Sequence, residues 1–517
     1  MAVAARVFRR SLLLPVGLLL IGCASLRAAE HDTTASALNS ITGPELQHHV
    51  DVLADDSLEG REAGSRGGHA AGDYLVQFLK SNHIQPAGDN GTYFQEFGNG
   101  YRNILCRIEG RDPALKHQFI LIGAHYDHVG YGTRRNSFGP IGQIHNGADD
   151  NASGTSGVLE VVQAFTFLPH APRRSVLFAL WDGEEKGLLG SRHWTSHLTV
   201  ALDDVKFAFN VDMIGRMHAD HLEVFGARTA PGLRQLVSRQ NVGLGLDLNF
   251  NSEIKANADH YSFFERRIPY LMFHTGLHPD YHRPTDDADK INSIGLEHVA
   301  RLMFRVAWQL AEEDASVPAF RTASRYEAGG RPDARPRVLP PAPPRLGIQW
   351  NPAKDGAGVL VTGVTGGSPA DRAGLQVGDR ITRFAGRAIR EPRQFPLIVL
   401  AAPASILATV RHDGDDKPRK LTVQLDGAPL RVGISWQTDD GEPHTVVLTR
   451  VVTGSPADRA GLKPGDRIYE VNGQPIADEP TLRARLLDAD TDLRLLRERA
   501  GRLKEVHLEL LEKNDAS

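Results

Sequence analysis

Cysteine is nearly missing from this chain: its 517 residues hold two, Cys23 and Cys106. No intrachain disulfide framework can be built from so few, and Cys106, inside the apolar stretch Ile104-Leu105-Cys106, reads as a small buried core residue. Basic runs, and faces that interleave cations with aromatic rings, are also lacking. With 59 basic against 63 acidic residues and a formal charge of −4, the chain has no electrostatic footprint for nucleic acid. A membrane-spanning run is missing too, because the apolar segment Leu12 to Ile21 is too short to cross a bilayer comfortably. What remains is ordinary globular composition, 41% hydrophobic and 24% charged, which excludes global disorder. The length exceeds what one core can hold, so about three domains are expected.

Arg6, Arg9 and Arg10 precede the apolar segment, the layout of a secretory signal. It ends in Leu20-Ile21-Gly22-Cys23, which resembles a bacterial lipobox, where cleavage leaves the cysteine as a lipidated first residue. The expectation is a signal peptide over 1–22 and attachment to a membrane through a lipid anchor at Cys23. That places the protein in the cell envelope, on the periplasmic face or the cell surface. The alternative is a simple secretory signal cut near Ala28, after Leu26-Arg27-Ala28. Residues 23–42, small and polar, read as a tether.

From 43 to 313 apolar strand-like runs alternate with helical patterns, which predicts an α/β domain with a doubly wound, mostly parallel sheet. The clearest buried strands are Phe119-Ile120-Leu121-Ile122, Val176 to Leu180, Phe207-Ala208-Phe209 and Tyr270 to Phe273. Val158, Val161, Val162 and Phe165 recur at helical spacing, so Asp149 falls in the loop before a helix. Residues 314–344 end in a proline-rich stretch that favours extended structure and read as a linker. Beyond it, Gly367-Ser368-Pro369-Ala370-Asp371-Arg372-Ala373-Gly374-Leu375 recurs in register as Gly454 to Leu462. A repeat this long predicts two small domains, at 345–427 and 430–513, rather than a solenoid.

Five metal-capable side chains follow apolar runs: His125, Asp149, Glu185, Asp212 and His282. In an open parallel sheet, ligands bind beyond the C-terminal ends of the strands, so scattered residues converge on one edge. Two imidazoles with three carboxylates suit two divalent zinc ions, and Glu184, beside Glu185, is the spare carboxylate that activates water. Each has an ordinary explanation alone. His125-Tyr126-Asp127 could be a surface turn, Asp149-Asp150-Asn151 a helix cap, and Glu184-Glu185 a solvated pair at a helix start. Jointly, at the same strand ends, they read as a hydrolytic metal centre.

Residues from about Leu46 to Ile291 resemble the co-catalytic dizinc aminopeptidases of metallopeptidase family 28, and Leu58 to Ser65 looks like that family's N-terminal signature. The resemblance implies a zinc exopeptidase fold, two zinc ions per chain and peptide substrates with a free N-terminus. It also implies that Asp149 bridges the metals, with His125 and Asp212 completing one site and Glu185 and His282 the other. Asp127 would hold the His125 imidazole. Glu184 would be the general base and Tyr281 a donor to the oxyanion. Asp259-His260 resembles a pocket motif of the family, with helix capping as its alternative.

Both repeats resemble PDZ domains of bacterial envelope proteases, which implies small β-rich domains, C-terminal peptide ligands and a role in docking substrates or partners. The first copy reads Phe384-Ala385-Gly386 where the second has Val471-Asn472-Gly473, and its Pro392 and Pro396 argue against peptide binding there. Rival readings are a glutaminyl cyclase or a carboxypeptidase on the same fold, or a catalytically silent PDZ scaffold. The full ligand set with Glu184 argues against a single-zinc cyclase and against a decayed scaffold.

Overall fold

The runs Phe119–His125 and Ser175–Trp181 are strands buried at every position, without the alternation of a strand that has one wet face. Such continuously apolar strands belong in a sheet covered on both sides. The computed structural model describes residues 34–327, 338–341, 344–353, 357–488 and 492–510. The expected signal peptide, Cys23 and the first part of the tether lie outside the described residues. So does most of the proline-rich stretch. Among the described residues no helix is long and apolar enough to cross a membrane. The chain divides into two compact units, one holding residues up to 218 with 257–266 and 273–317, the other 219–256, 267–272 and everything from 318.

In the first unit lie β1 (Gln85–Pro86), β2 (Phe94–Phe97), β3 (Tyr101–Ile108), β4 (Phe119–His125), β5 (Ser175–Trp181) and β6 (Val205–Val211). Their order is β1-β3-β5-β4-β6, with β2 beside β3. β4 runs parallel to both β5 and β6, whereas β3 is antiparallel to β5, so the sheet is mixed, with a parallel centre. The register pairs His125 with Trp181 and Gly123 with Asn210, so the chain leaves β4, β5 and β6 at one edge. Helices Gly43–Leu53, Gly154–Thr166 and Ser293–Glu312 pack on one another. Thr42 starts the first of these: its hydroxyl accepts from Glu45 N and donates to Glu45 Oε2, a reciprocal cap.

The tether expected through residue 42 is shorter than that. Ala35–Ser40 is a helix, and Ala37 and Ile41, four apart, are fully buried. Their apolar spacing packs this turn against Gly154–Thr166, and polarity of the flanking residues concealed it.

The second unit contains β7 (His221–Phe225), the helix Leu233–Gln240, β8 (Asp247–Asn251), parallel to β7, and the start of β9 (Tyr270–His274). It also holds two antiparallel six-stranded sheets. The first comprises β10 (Ile348–Pro352), β11 (Val359–Val364), β12 (Asp379–Phe384), β13 (Arg387–Ala388), β14 (Ser405–His412) and β15 (Arg419–Gln424). The second comprises β16 (Ile434–Thr438), β17 (Val446–Val451), β18 (Arg467–Val471), β19 (Gln474–Pro475), β20 (Leu493–Arg499) and β21 (Arg502–Leu508). The strand orders are the same, β10-β11-β12-β14-β15 and β16-β17-β18-β20-β21. The repeated Gly-Ser-Pro-Ala-Asp spells a helix start in both copies: Ser368 and Ser455 accept from the N–H of Asp371 and Asp458, and each aspartate accepts from the preceding glycine N–H at 2.8 Å.

The expected linker is also partly folded. Arg321 N–H donates to Thr229 O at 2.6 Å, and Glu327, in the short helix Ser324–Glu327, pairs with Arg228 at 2.8 Å. The second repeat is stitched to the β7–β8 segment in the same unit. Leu248 N–H donates to Ala500 O at 2.9 Å, Asn241 Nδ2 to Gly501 O at 3.0 Å, and Arg234 makes two 3.1 Å bonds to Glu498. Gly501 turns the β20–β21 hairpin at φ 71°, and a Cβ there would come 2.4 Å from the Leu248 side chain.

Glu498 is fully buried, and its carboxylate also takes the Gly501 N–H at 2.6 Å. Burial opposes its charge, but Arg234 and Arg467 outweigh that and hold its carboxyl below the usual range. A depressed carboxylate pKa contributes stability above its unfolded value that is lost as pH falls through the folded one. Glu498→Ala should therefore cost about 3–5 kcal/mol at neutral pH, because it strands the guanidinium of Arg234. Urea denaturation at neutral and acidic pH checks this, with the gap to the unmodified protein shrinking in acid.

Candidate active site

His125 closes β4, where Gly123 and Ala124 leave no bulk before the edge of the sheet. Its Nδ1 donates to the main-chain oxygen of Asp127 at 3.1 Å, which directs Nε2 to Asp212 Oδ1 at 3.3 Å and Asp150 Oδ1 at 3.4 Å. Thr155 Oγ1, in the first turn of the following helix, pins the His125 carbonyl at 2.8 Å. Asp212 leaves the end of β6 with its N–H bonded to Phe273 O at 3.2 Å. His282 is held in a left-handed conformation, φ 52°, where its Nδ1 donates to Asn136 O at 2.7 Å. Its Nε2 faces Asp150 Oδ2 at 3.1 Å and Glu185 Oε2 at 3.2 Å. Burial opposes its protonation, yet Asp150 and Glu185 hold the His282 pKa up at about 11.

The structure brings His125, Glu185, Asp212 and His282 together but not Asp149, which was expected to bridge them. The backbone at Asp150 is extended, φ −104° and ψ 94°, so neighbouring side chains point to opposite sides. Asp149 turns inward: its Oδ1 accepts from Gly215 N–H at 2.6 Å and Ser153 Oγ at 3.0 Å, and its Oδ2 lies 3.2 Å from His278 Nε2. Asp150 takes the central place, one oxygen toward His125 and the other toward His282. The loop is fixed from three sides. Asp286 Oδ2 accepts the N–H groups of Asp149 and Asp150 at 3.0 and 3.1 Å, Asn151 Nδ2 donates to Val211 O at 3.0 Å, and fully buried Arg61 donates to the carbonyls of Asn146, Gly147, Tyr126 and Leu53.

Asp127 holds the His125 imidazole by its main-chain oxygen rather than by its side chain. Its carboxylate is 3.7 Å from the His125 ring and instead accepts the N–H of Glu184 at 3.0 Å and of Glu185 at 3.4 Å. It thereby sets the turn that presents both glutamates. Desolvation pushes the Glu184 carboxyl well above the usual range; Glu185, Asp259 and Asp212 add to this, and His125 opposes it. Tyr281 lies against His282 with ring centroids 4.0 Å apart, and Phe138 covers both at 5.7 Å. Asp259 makes no side-chain cap to the helix His260–Glu265; burial pushes its carboxyl up to about 7.

Two groups of donor atoms could each hold a metal ion: His125, Asp150 and Asp212, and His128, Asp150 and Glu185. His282 borders the second group. Ligands around a tetrahedral zinc with ordinary bond lengths sit about 3.3 Å apart. The spacings of 3.1–3.4 Å among His125, Asp150, Asp212, Glu185 and His282 fit that figure. Sequence reasoning missed Asp150 and His128. His128 was visible as the second histidine of the stretch Gly123 to His128, while nothing in the sequence separates Asp150 from Asp149.

Residues 103–307 match the model of Peptidase family M28, and 360–396 and 447–499 match the PDZ domain model. Aminopeptidase YwaD of Bacillus subtilis (strain 168) is 28% identical over 225 residues, 41% of this chain and 46% of that protein. The probable lipoprotein aminopeptidase LpqL of Mycobacterium tuberculosis is 29% identical over 131 residues, 25% of this chain and 23% of that protein. Among solved structures, the LapA aminopeptidase of Legionella pneumophila aligns at 21% identity and a TM-score of 0.47, over 55% of this chain and 75% of that one. The matches to both curated relatives span less than half of their length.

Proposed function

From a chain whose residues 103–307 form a Peptidase family M28 domain, followed by PDZ domain segments, we propose a zinc-dependent aminopeptidase that removes N-terminal residues from peptides. The observation that carries this reading is the Asp150 carboxylate, whose two oxygens serve two separate donor sets. His125 and Asp212 would hold one zinc ion with it, and Glu185 and His282 the other. Zinc in these places supplies Lewis acidity to a scissile carbonyl and makes water acidic enough to ionise near neutral pH.

The chain's own residues do the rest. A Glu184 carboxylate oxygen takes the proton of the attacking water and returns it to the leaving amine nitrogen. Asp127, through the N–H groups of Glu184 and Glu185, keeps base and ligand in fixed relation. The Tyr281 hydroxyl, beside His282, donates to the developing oxyanion. A free α-amine placed among these carboxylates explains action at the N-terminus. The lipobox-like Leu20 to Cys23 and the similarity to a lipoprotein aminopeptidase support an envelope location through a lipid at Cys23. The PDZ segments would dock peptide substrates or partners at their grooves.

A peptide library offered with free and with acetylated N-termini tests the activity. Residues should be released from free N-termini alone, chelation should abolish release, and added zinc should restore it. Release from the C-terminus, or cyclisation of N-terminal glutamine without hydrolysis, would replace this reading with a rival on the same fold.

A further inference from the structure

We propose that His128 is a positioning residue that fixes Glu185 as a one-oxygen ligand; this rests on the dizinc reading of the site. The side chain of His128 is completely buried, and its Nδ1 lies 2.8 Å from Glu185 Oε1. That is the length of a hydrogen bond, shorter than the 3.1–3.4 Å spacing among the residues that would share an ion. Glu185 therefore splits its oxygens, with Oε1 on His128 and Oε2 on His282 at 3.2 Å. Asp150 Oδ2, which faces His282, is 3.9 Å from His128 Nδ1, beyond hydrogen-bond reach. The contact to Glu185 is the one side-chain hydrogen bond of His128 among the described residues.

The ring cannot swing away from this post. Gly147 is in the left-handed region at φ 56°, and a Cβ there would come 2.4 Å from His128 Cδ2, so the loop that leads to Asp150 closes directly over the imidazole. The His282 ring meets it edge-on, with centroids 5.5 Å apart at 86°. The backbone N–H of His128 donates to Arg61 O at 3.2 Å. A residue caged this closely and pointed at the oxygen that a neighbouring ligand does not use sets that ligand's orientation. Holding Oε1 prevents Glu185 from closing both oxygens on one ion.

Zinc titration of the metal-free full chain by calorimetry tests this, using three variants. Asn places an amide nitrogen where Nδ1 stands, Gln carries it one bond too far, and Leu keeps only bulk. His128→Leu should weaken one zinc equivalent about 10–100-fold and spare the other, while His128→Asn should stay within about 3-fold of the unmodified protein. Thermal melting of the metal-free variants monitors folding. If the Leu variant does not fold, Asn binding zinc more tightly than Gln carries the same conclusion. Unchanged binding in His128→Leu, or equal losses in the Asn and Gln variants, would overturn the assignment, the latter by making the imidazole itself a ligand. An unmodified chain that takes up no second equivalent overturns the dizinc reading directly, whatever the variants do.

Discussion

Glu184→Gln should lower kcat/KM for aminoacyl reporter substrates by about 10²–10⁴-fold while two zinc ions stay bound. Gln has nearly the shape of Glu and can still accept a hydrogen bond, so the packing of the turn is kept. What it loses is the ability to take a proton from water and hand it on. Glu184 is outside the donor set that spans Asp150, so metal uptake has no reason to change. Its environment suits a base: desolvation, with Glu185, Asp259 and Asp212 nearby, raises the proton affinity of its carboxylate, and His125 moderates the rise. The loss should fall on kcat more than on KM, since proton transfer belongs to the transition state and not to substrate binding. Steady-state kinetics with metal analysis on the same sample check this. Turnover within tenfold of the unmodified protein would remove Glu184 from the mechanism.

The second large effect is a contrast between neighbours. Asp150→Asn should reduce zinc from two equivalents to one or fewer and lower kcat/KM by at least about 10³-fold, because one carboxylate faces both donor sets. Asp149→Asn should keep both zinc ions and cost instead about 1–3 kcal/mol of stability, since its oxygens serve Gly215, Ser153 and His278 rather than the centre. Metal content after dialysis and thermal melting of the metal-free proteins separate the two. The opposite pattern would return the bridging place to Asp149.

Much of this site is legible because the sheet makes it so. β4 and β5 are apolar at nearly every position and β6 mostly so, and His125 is the last residue of β4, Asp212 comes one residue after β6 and Glu185 four residues after β5. Which of two adjacent aspartates faces inward is a different kind of question. It is settled by the extended backbone at Asp150 and by bonds from Asp286 and Asn151, residues close in space but unmarked in the pattern. Asp127 shows the same limit: its residue type signalled a partner for His125, but its carbonyl fills that place and its carboxylate turns to the glutamates. The repeats were legible because Gly-Ser-Pro-Ala-Asp encodes a helix start locally, with no distant partner required. The tether and linker were overextended for the converse reason. Ala37, Ile41, Arg321 and Glu327 reveal their roles only through partners far along the chain.

The hairpin tip at Ala500-Gly501 has a practical consequence for anyone cutting this gene. A recombinant version stopped after residue 327 would bring Leu248 into water, where it is now 2% exposed, and leave Arg234 and Asn241 without Glu498 and Gly501. Likewise, a protease that nicks the proline-rich segment does not free the last repeat, because the seam from Arg234 to Arg502 still joins the fragments. The two pieces would travel through a sizing column as one species until denaturant parts them, so a clean band pattern on a gel would overstate how separable the domains are.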